Sequence, residues 1–267
     1  MQITKEMLRD WSACHSGMKW FLSRFPDGSA EYQDVLNALA DDDRPSDAEW
    51  LMNNAGPDKG SILELESVSD RRHLFVAGYL KVSGLIEISG YLKAGEGIEA
   101  GGGIEAGGGI EAGGGIEAGE GIEAGWGIKA GGGIEAGGGI EAGEGIEAGG
   151  GIEAGGGIEA GGGIEAGEGI EAGWGIKAGG GIEAGGGIEA GEGIEAGWGI
   201  KAGEGIEAGG GIEAGEGIEA GWEYGIFAGL RVKVSRWIVY AQVSAKSKPD
   251  NLISGAWSPS SETQDAA

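Results

Sequence analysis

The chain has 267 residues and a formal net charge of −26, with 44 Asp and Glu against 18 Lys and Arg, and 64 glycines. That balance excludes binding nucleic acid or an anionic membrane by charge, and leaves basic proteins as the partners its field would attract. The single cysteine, Cys14, excludes an internal disulfide framework and suits a reducing compartment; with no signal-peptide pattern and no apolar stretch of membrane-span length, a cytoplasmic location is expected.

Residues 1–59 read as a helical module. Thr4 caps a first helix with Met7, Leu8 and Trp11 on its apolar face. Ser16 is expected to cap a second, through Met18, Trp20, Phe21, Leu22 and Phe25, closed by Pro26-Asp27-Gly28. Ser29 opens a third, with Tyr32, Val35, Leu36 and Leu39 inside, broken at Asp41-Asp42-Asp43-Arg44-Pro45. Ser46-Asp47-Ala48-Glu49 has the pattern of a capping box before Trp50, Leu51 and Met52, and Gly56-Pro57 ends the module. So few residues make a marginal core. Docking onto the open end of the next segment would complete it; binding a partner is the alternative role.

Residues 60–97 open a repeat in strand-rich language, such as Leu80-Lys81-Val82-Ser83-Gly84 and Ile86-Glu87-Ile88-Ser89-Gly90. Residues 98–222 reduce it to Gly-x-Gly-Ile-Glu/Lys-Ala, with isoleucine at every sixth position from Ile98 to Ile218, 21 consecutive copies. A period of six fits neither a helix face nor a heptad seam, but it is a multiple of two, so a strand keeps Ile and Ala on one face and Glu on the other. Gly-x-Gly supplies a corner, where positive φ and close backbone approach are expected. Short strands stacked by repetition describe a β-solenoid. A disordered glycine-rich tract is the alternative, opposed by the strict Ile/Ala pair. The beat resumes after Trp222 at Ile226, Val232 and Ile238, so residues 223–244 read as closing coils, with Tyr224, Phe227, Trp237 and Tyr240 at the bottom of the stack. Arg231, Lys233 and Arg236 form a basic cluster there, expected to pair with array glutamates or with the next molecule, and residues 245–267 read as a loose, flexible tail. The fold class is a β-solenoid built from hexapeptide repeats, with a small α-helical N-terminal domain.

A second period overlies the first. The variable position carries Glu every 24 residues from Glu96 to Glu216, and Trp six residues later at Trp126, Trp174, Trp198 and Trp222, with Gly150 where one copy lapsed. Two hexads per coil would align the tryptophans on one flat side; three would spiral them around the axis. Coils stack about 4.8 Å apart, so three hexads per coil give roughly one strand-position carboxylate per 1.6 Å and two give roughly one per 2.4 Å. Duplex DNA carries one charge per about 1.7 Å. A solvated face that keeps the stack soluble is the plainer reading of any single Glu.

No catalytic constellation stands out. Cys14-His15 and His73 lack further ligands at metal spacing and read as a core cysteine and ordinary histidines. Asp41–Asp43 lacks the glycine and terminal Glu of a calcium loop. No cofactor or metal is expected.

The hexad phase resembles the left-handed β-helix of the hexapeptide-repeat acyltransferases, which implies fold alone: the fifth position of the Ile-first hexad holds Gly, Glu or Trp instead of a small inward residue, and no histidine lies in the array. In shape and charge the array resembles acidic β-helical proteins that imitate a DNA rod, as the pentapeptide-repeat gyrase-binding proteins do, without their five-residue beat. Ile3-Thr4-Lys5-Glu6-Met7-Leu8, Phe25-Pro26-Asp27-Gly28 and Trp50-Leu51 are similar to a helical segment found ahead of repeat regions in phage and mobile-element proteins. That resemblance implies a bacterial host.

The expected function is non-enzymatic: an acidic solenoid that mimics nucleic acid and occupies the basic channel of a host defence protein of CRISPR or restriction type, with no direct contact to nucleic acid or membrane. The candidate contacts are the strand glutamates Glu99, Glu105, Glu111, Glu117, Glu123, Glu135, Glu141, Glu147, Glu153, Glu159, Glu165, Glu171, Glu183, Glu189, Glu195, Glu207, Glu213 and Glu219. To these are added the variable-position Glu96, Glu120, Glu144, Glu168, Glu192, Glu204 and Glu216, and Trp126, Trp174 and Trp198. The alternative is a structural fibre or trimeric appendage, which makes a homo-oligomer. Ice binding is disfavoured because the array has no Thr and places Glu outward.

Overall fold

The computed structural model describes residues 1–260. From Ile62 to Pro259 the chain winds into a parallel β-solenoid whose three sheets contain 11, 11 and 9 strands. Through the array each strand pairs with the one three strands later: Ile104, Glu105 and Ala106 lie against Ile122, Glu123 and Ala124. A coil is therefore 18 residues, three hexads, and the cross-section is three-sided. Face one carries the strands beginning Ile98, Ile116 and so on to Ile206; face two those beginning Ile104 to Ile212; face three those beginning Ile110 to Ile218.

The three-residue strand Ile-Glu-Ala is the whole folding code of a face. Alternation sends Ile and Ala inward and Glu outward. The inward pairs form one continuous core from Val68 to Ala245, with every array Ile and nearly every array Ala buried. A fully buried Ile stabilises by about 1.5–3 kcal/mol. The corners are laddered as well: Gly149, Gly150 and Ile152 donate to Ala130, Gly132 and Gly169 in adjoining coils at 3.0 Å each. Pairing of the corner backbone keeps a glycine-rich chain ordered, since its polar groups are satisfied coil to coil.

The corner glycines are needed for a different reason than the sequence suggests. Positive φ occurs at Gly28, Gly56, Gly60, Gly229 and Gly255, and at no glycine of the array. What excludes a side chain is the preceding coil: a Cβ on Gly149 would lie 2.3 Å from the Gly131 carbonyl oxygen.

The N-terminal module has four helices, α1 (Lys5–Asp10), α2 (His15–Arg24), α3 (Tyr32–Asp41) and α4 (Pro45–Ala55). The Thr4 hydroxyl caps α1 by accepting from the Met7 N–H at 3.3 Å. Three local expectations are corrected. Cys14, exposed instead of in the core, caps α2 in place of Ser16, its Sγ accepting from the Gly17 N–H. Ser29–Glu31 is a strand paired antiparallel with Gln2–Thr4, so α3 starts only at Tyr32. Ser46 lies inside α4, which begins at Pro45 without a side-chain cap, because proline is preorganised for the first helical position.

This module packs over the first strand of face three, Leu74–Val76. Phe75 points outward from the sheet yet is buried under α3 and α4, in one cluster with Tyr32, Val35 and Leu36. The Gln33 side chain acts as a fragment of an extra strand: its amide donates to the Phe75 carbonyl at 2.7 Å and accepts from the Ala77 N–H at 2.9 Å. His73, 4% exposed, stacks between Phe75 and Tyr91 and bridges Asp43 (Nε2, 2.9 Å) to the Tyr91 N–H (Nδ1, 3.1 Å). Replacing Gln33 with Ala strands two partly buried backbone groups, an expected loss of about 1–3 kcal/mol that thermal melting would register.

At the other end the hexad beat fails earlier than the sequence implies. Ile226 continues face one, but Val232 lies outside any strand and Ile238 sits in the helical turn Trp237–Tyr240, 74% exposed. Val243 takes the next place on face two, opposite Ile212. The segment read as a loose tail instead contributes strands Leu252–Ser254 and Ala256–Pro259 to faces one and two; residues 261–267 lie outside the described residues.

Candidate functional site

The outward surface divides the sequence-predicted contacts among three grooves and three corners. Face one carries Glu99, Glu117, Glu135, Glu153, Glu171, Glu189 and Glu207 in register, without a single array lysine. Face two stacks Glu105, Glu123, Glu141, Glu159, Lys177, Glu195 and Glu213. Face three stacks Glu111, Lys129, Glu147, Glu165, Glu183, Lys201 and Glu219. The charge is thus uneven around the rod, purest on face one and most compensated on face three.

The lysines sit where they can bridge coils. Lys129 pairs with Glu147 at 2.8 Å, Lys201 with Glu183 at 2.9 Å, Lys93 with Glu111 at 2.9 Å and Lys177 with Glu159 at 3.6 Å. Donating hydrogen bonds to the Glu147 and Glu183 carboxylates holds the Lys129 and Lys201 ammonium groups above their ordinary range. Among the described residues the one such partner on face one is Lys81, above the array, bonded to Glu99 at 2.5 Å. That bond holds the Glu99 carboxyl below its usual range and Lys81 above its own. A depressed carboxylate contributes stability that is present above its unfolded pKa and lost as pH falls through the folded one. The raised ammonium contributes below the ordinary lysine range and loses that contribution as pH rises through its folded value. Lys81→Met should therefore move the Glu99 titration upward into the common carboxylate range, as side-chain NMR would read.

The variable-position residues lie on the corners, and the 24-residue period against an 18-residue coil advances each one by a coil and one face. Glu96, Glu168 and Glu204 precede face one, Glu120, Trp174 and Glu192 precede face two, and Trp126, Glu144, Trp198 and Glu216 precede face three. The tryptophans consequently spiral, so the sequence's contingent flat column does not form. They are exposed, at 52% for Trp126, 65% for Trp174 and 66% for Trp198. Trp126 packs edge-on against Tyr91 with centroids 5.3 Å apart. Trp126 and Trp198 share one corner four coils apart, about 19 Å.

Each face is a shallow groove floored by Gly-Ile backbone and walled by its Glu column and its corner. Tyr79 and Tyr224 close the ends of the face-one groove, and Val239 and Tyr240 close the lower end of face two. The sequence reading placed Tyr224 and Tyr240 at the bottom of the stack but passed over Tyr79 and Tyr91, because it followed only the variable position; these two sit one place later, directly before Leu80 and Leu92. Among the described residues no group of three or more His, Cys, Asp or Glu is arranged to hold a metal, and no helix is long and apolar enough to cross a membrane.

A helical module clamped to the first coil of a repeat array is the setting in which the family comparison falls. A family model described as the YdhT N-terminal domain matches residues 1–55. The match to the YdhT N-terminal domain ends at the last residue of α4, before the first coil, so it concerns the module and leaves the solenoid outside it. No curated protein and no solved structure is significantly similar to the chain.

Proposed function

We propose that the chain is a non-enzymatic acidic rod that imitates nucleic acid and blocks a basic, nucleic-acid-binding protein in the cytoplasm of a bacterial host, a defence protein of CRISPR or restriction type. The observation that carries this reading is the coil of three hexads. It sets one strand-position side chain, nearly always a carboxylate, every 1.6 Å or so along the axis, against about 1.7 Å per charge for duplex DNA. Face one supplies the unbroken column for the partner's lysines and arginines. The exposed corner tryptophans add apolar anchors around it. Ladders of near-identical carboxylates suit electrostatic occupation of a channel and lack the differentiated environments of acid–base catalysis.

The test is capture from bacterial lysate at low salt, salt-step elution and identification, followed by inhibition of the captured protein's nucleic-acid binding. Affinity should fall more than about tenfold between roughly 50 and 200 mM salt. Glu117→Gln, Glu135→Gln, Glu153→Gln and Glu171→Gln together should abolish inhibition while the fold remains. Binding indifferent to salt, or inhibition that survives this neutralisation, defeats the proposal.

A further inference from the structure

One segment of this acidic chain has the opposite character. Between Glu223 and Asp250 there is no acidic residue, and Arg231, Lys233, Arg236, Lys246 and Lys248 fall in that interval. Its central part, residues 230–240, leaves the solenoid as a knuckle. The knuckle is held at its base by the Leu230 and Arg231 N–H groups donating to the carbonyls of Ala208 and Gly209, at 3.2 and 3.0 Å. The 3-10 turn Val234–Arg236 and the helical turn Trp237–Tyr240 fix its shape. Its tip is apolar and uncovered, with Val234 93% and Ile238 74% exposed. Among the described residues Arg231, Lys233 and Arg236 make no ion pair, although the chain they belong to is crowded with glutamates.

We propose that this knuckle docks into the face-one groove of a second copy of the chain. The complement is present on the same molecule. The face-one groove is floored by Gly and Ile backbone, walled by glutamates and closed at its ends by Tyr79 and Tyr224, so it offers apolar surface for Val234 and Ile238 between carboxylates for the three cations. The other two grooves are less suited. Lys129 and Lys201 interrupt face three; Lys177 interrupts face two, whose lower end is already filled by Val239 and Tyr240 of the same knuckle. A knuckle of one copy in a groove of the next is a heterologous contact, which adds copies without closing unless the rotation happens to return on itself. The proposal rests on the reading of face one as an acceptor of cationic surfaces, and places self-association in competition with the basic partner.

Sedimentation at about 0.1 M ionic strength, where charges more than about 10 Å apart are largely screened, isolates the local contact from the repulsion of two acidic bodies. The wild-type chain should form concentration-dependent assemblies. Combined Arg231→Glu, Lys233→Glu and Arg236→Glu should weaken them at least about tenfold. A second variant carrying Glu117→Lys, Glu135→Lys and Glu153→Lys should associate with that first variant in a mixture, with circular dichroism establishing that both are folded. A wild-type chain that stays monomeric, or assemblies indifferent to the knuckle charges, overturns the proposal. So does knuckle-dependent pelleting with anionic phospholipid vesicles in the absence of self-association, which would give the surface to lipid. The knuckle variant keeps every array glutamate. If it still blocks a basic partner while the wild-type chain does not self-associate, only the present inference fails; if the wild-type chain self-associates and no basic partner is inhibited, only the proposed function fails.

Discussion

Gly149→Ala is expected to destabilise the solenoid by more than about 3 kcal/mol, the severe end of overpacking, whereas Gly150→Ala changes stability by less than about 1 kcal/mol. The two positions are chain neighbours at one corner and differ only in what faces them. A Cβ at residue 149 meets the Gly131 carbonyl oxygen at 2.3 Å and its carbon at 3.1 Å, backbone atoms already committed to the ladder. A Cβ at residue 150 meets the Gly133 nitrogen at 3.0 Å, a contact relieved by a small shift. The chain tolerates that shift: at this corner place the coil-to-coil bond runs from 2.9 to 3.1 Å where the residue is glycine and from 3.0 to 3.3 Å where it is Glu or Trp. Neither glycine has positive φ, so the contrast isolates close approach from backbone conformation. Thermal denaturation of the two single variants decides it; equal losses would mean that the corner is governed by glycine's conformational freedom after all.

The architecture was legible because the hexad is a local rule restated at every step. Ile and Ala two residues apart fix the inward face of a three-residue strand, and the glycines fix where the chain must turn. The number of hexads per coil was not legible, since each hexad is compatible with two or three sides and the choice is made by packing across the core. That choice then determined most of what the sequence left open about the surface. It split the glutamates into columns of unequal charge, and it turned the tryptophan beat into a spiral. The ends were harder, for physical reasons particular to each. Gln33 looks like any polar helix residue, and its role as a substitute strand depends on the sheet edge it meets. Ser29–Glu31 forms a strand only because Gln2–Thr4 lies beside it. Val232 and Ile238 keep the six-residue beat, yet the chain has already left the core, and Val243 takes the place on face two that the beat assigns to Val232.

The same separation between a local rule and a global pattern yields the second large effect. Deleting Gly149–Gly151, three residues, should abolish cooperative folding of the coils below. It joins Ala148 directly to Ile152, removes a corner whose backbone bonds both neighbouring coils, and leaves two strands with no way to change face. Deleting Gly149–Ala154, six residues, should leave a solenoid that melts cooperatively, because any hexad can occupy any face. Such additivity of near-identical units is the behaviour of a quasi-one-dimensional stack. The six-residue deletion still rotates everything below it by one face relative to the N-terminal module. Glu159, Lys177 and Glu195 then move from face two onto face one, and a lysine enters the column that has none. The fold and the charge pattern are thereby uncoupled in one variant. If face one works as an unbroken anionic column, this variant should keep its melting transition and lose a large part of its inhibition of a basic partner. Calorimetry and that inhibition assay, run side by side with an 18-residue deletion that shortens the rod by one coil and leaves every face in place, measure the two effects apart. Restored inhibition in the 18-residue deletion assigns the loss to the misplaced lysine; equal loss in both assigns it to length.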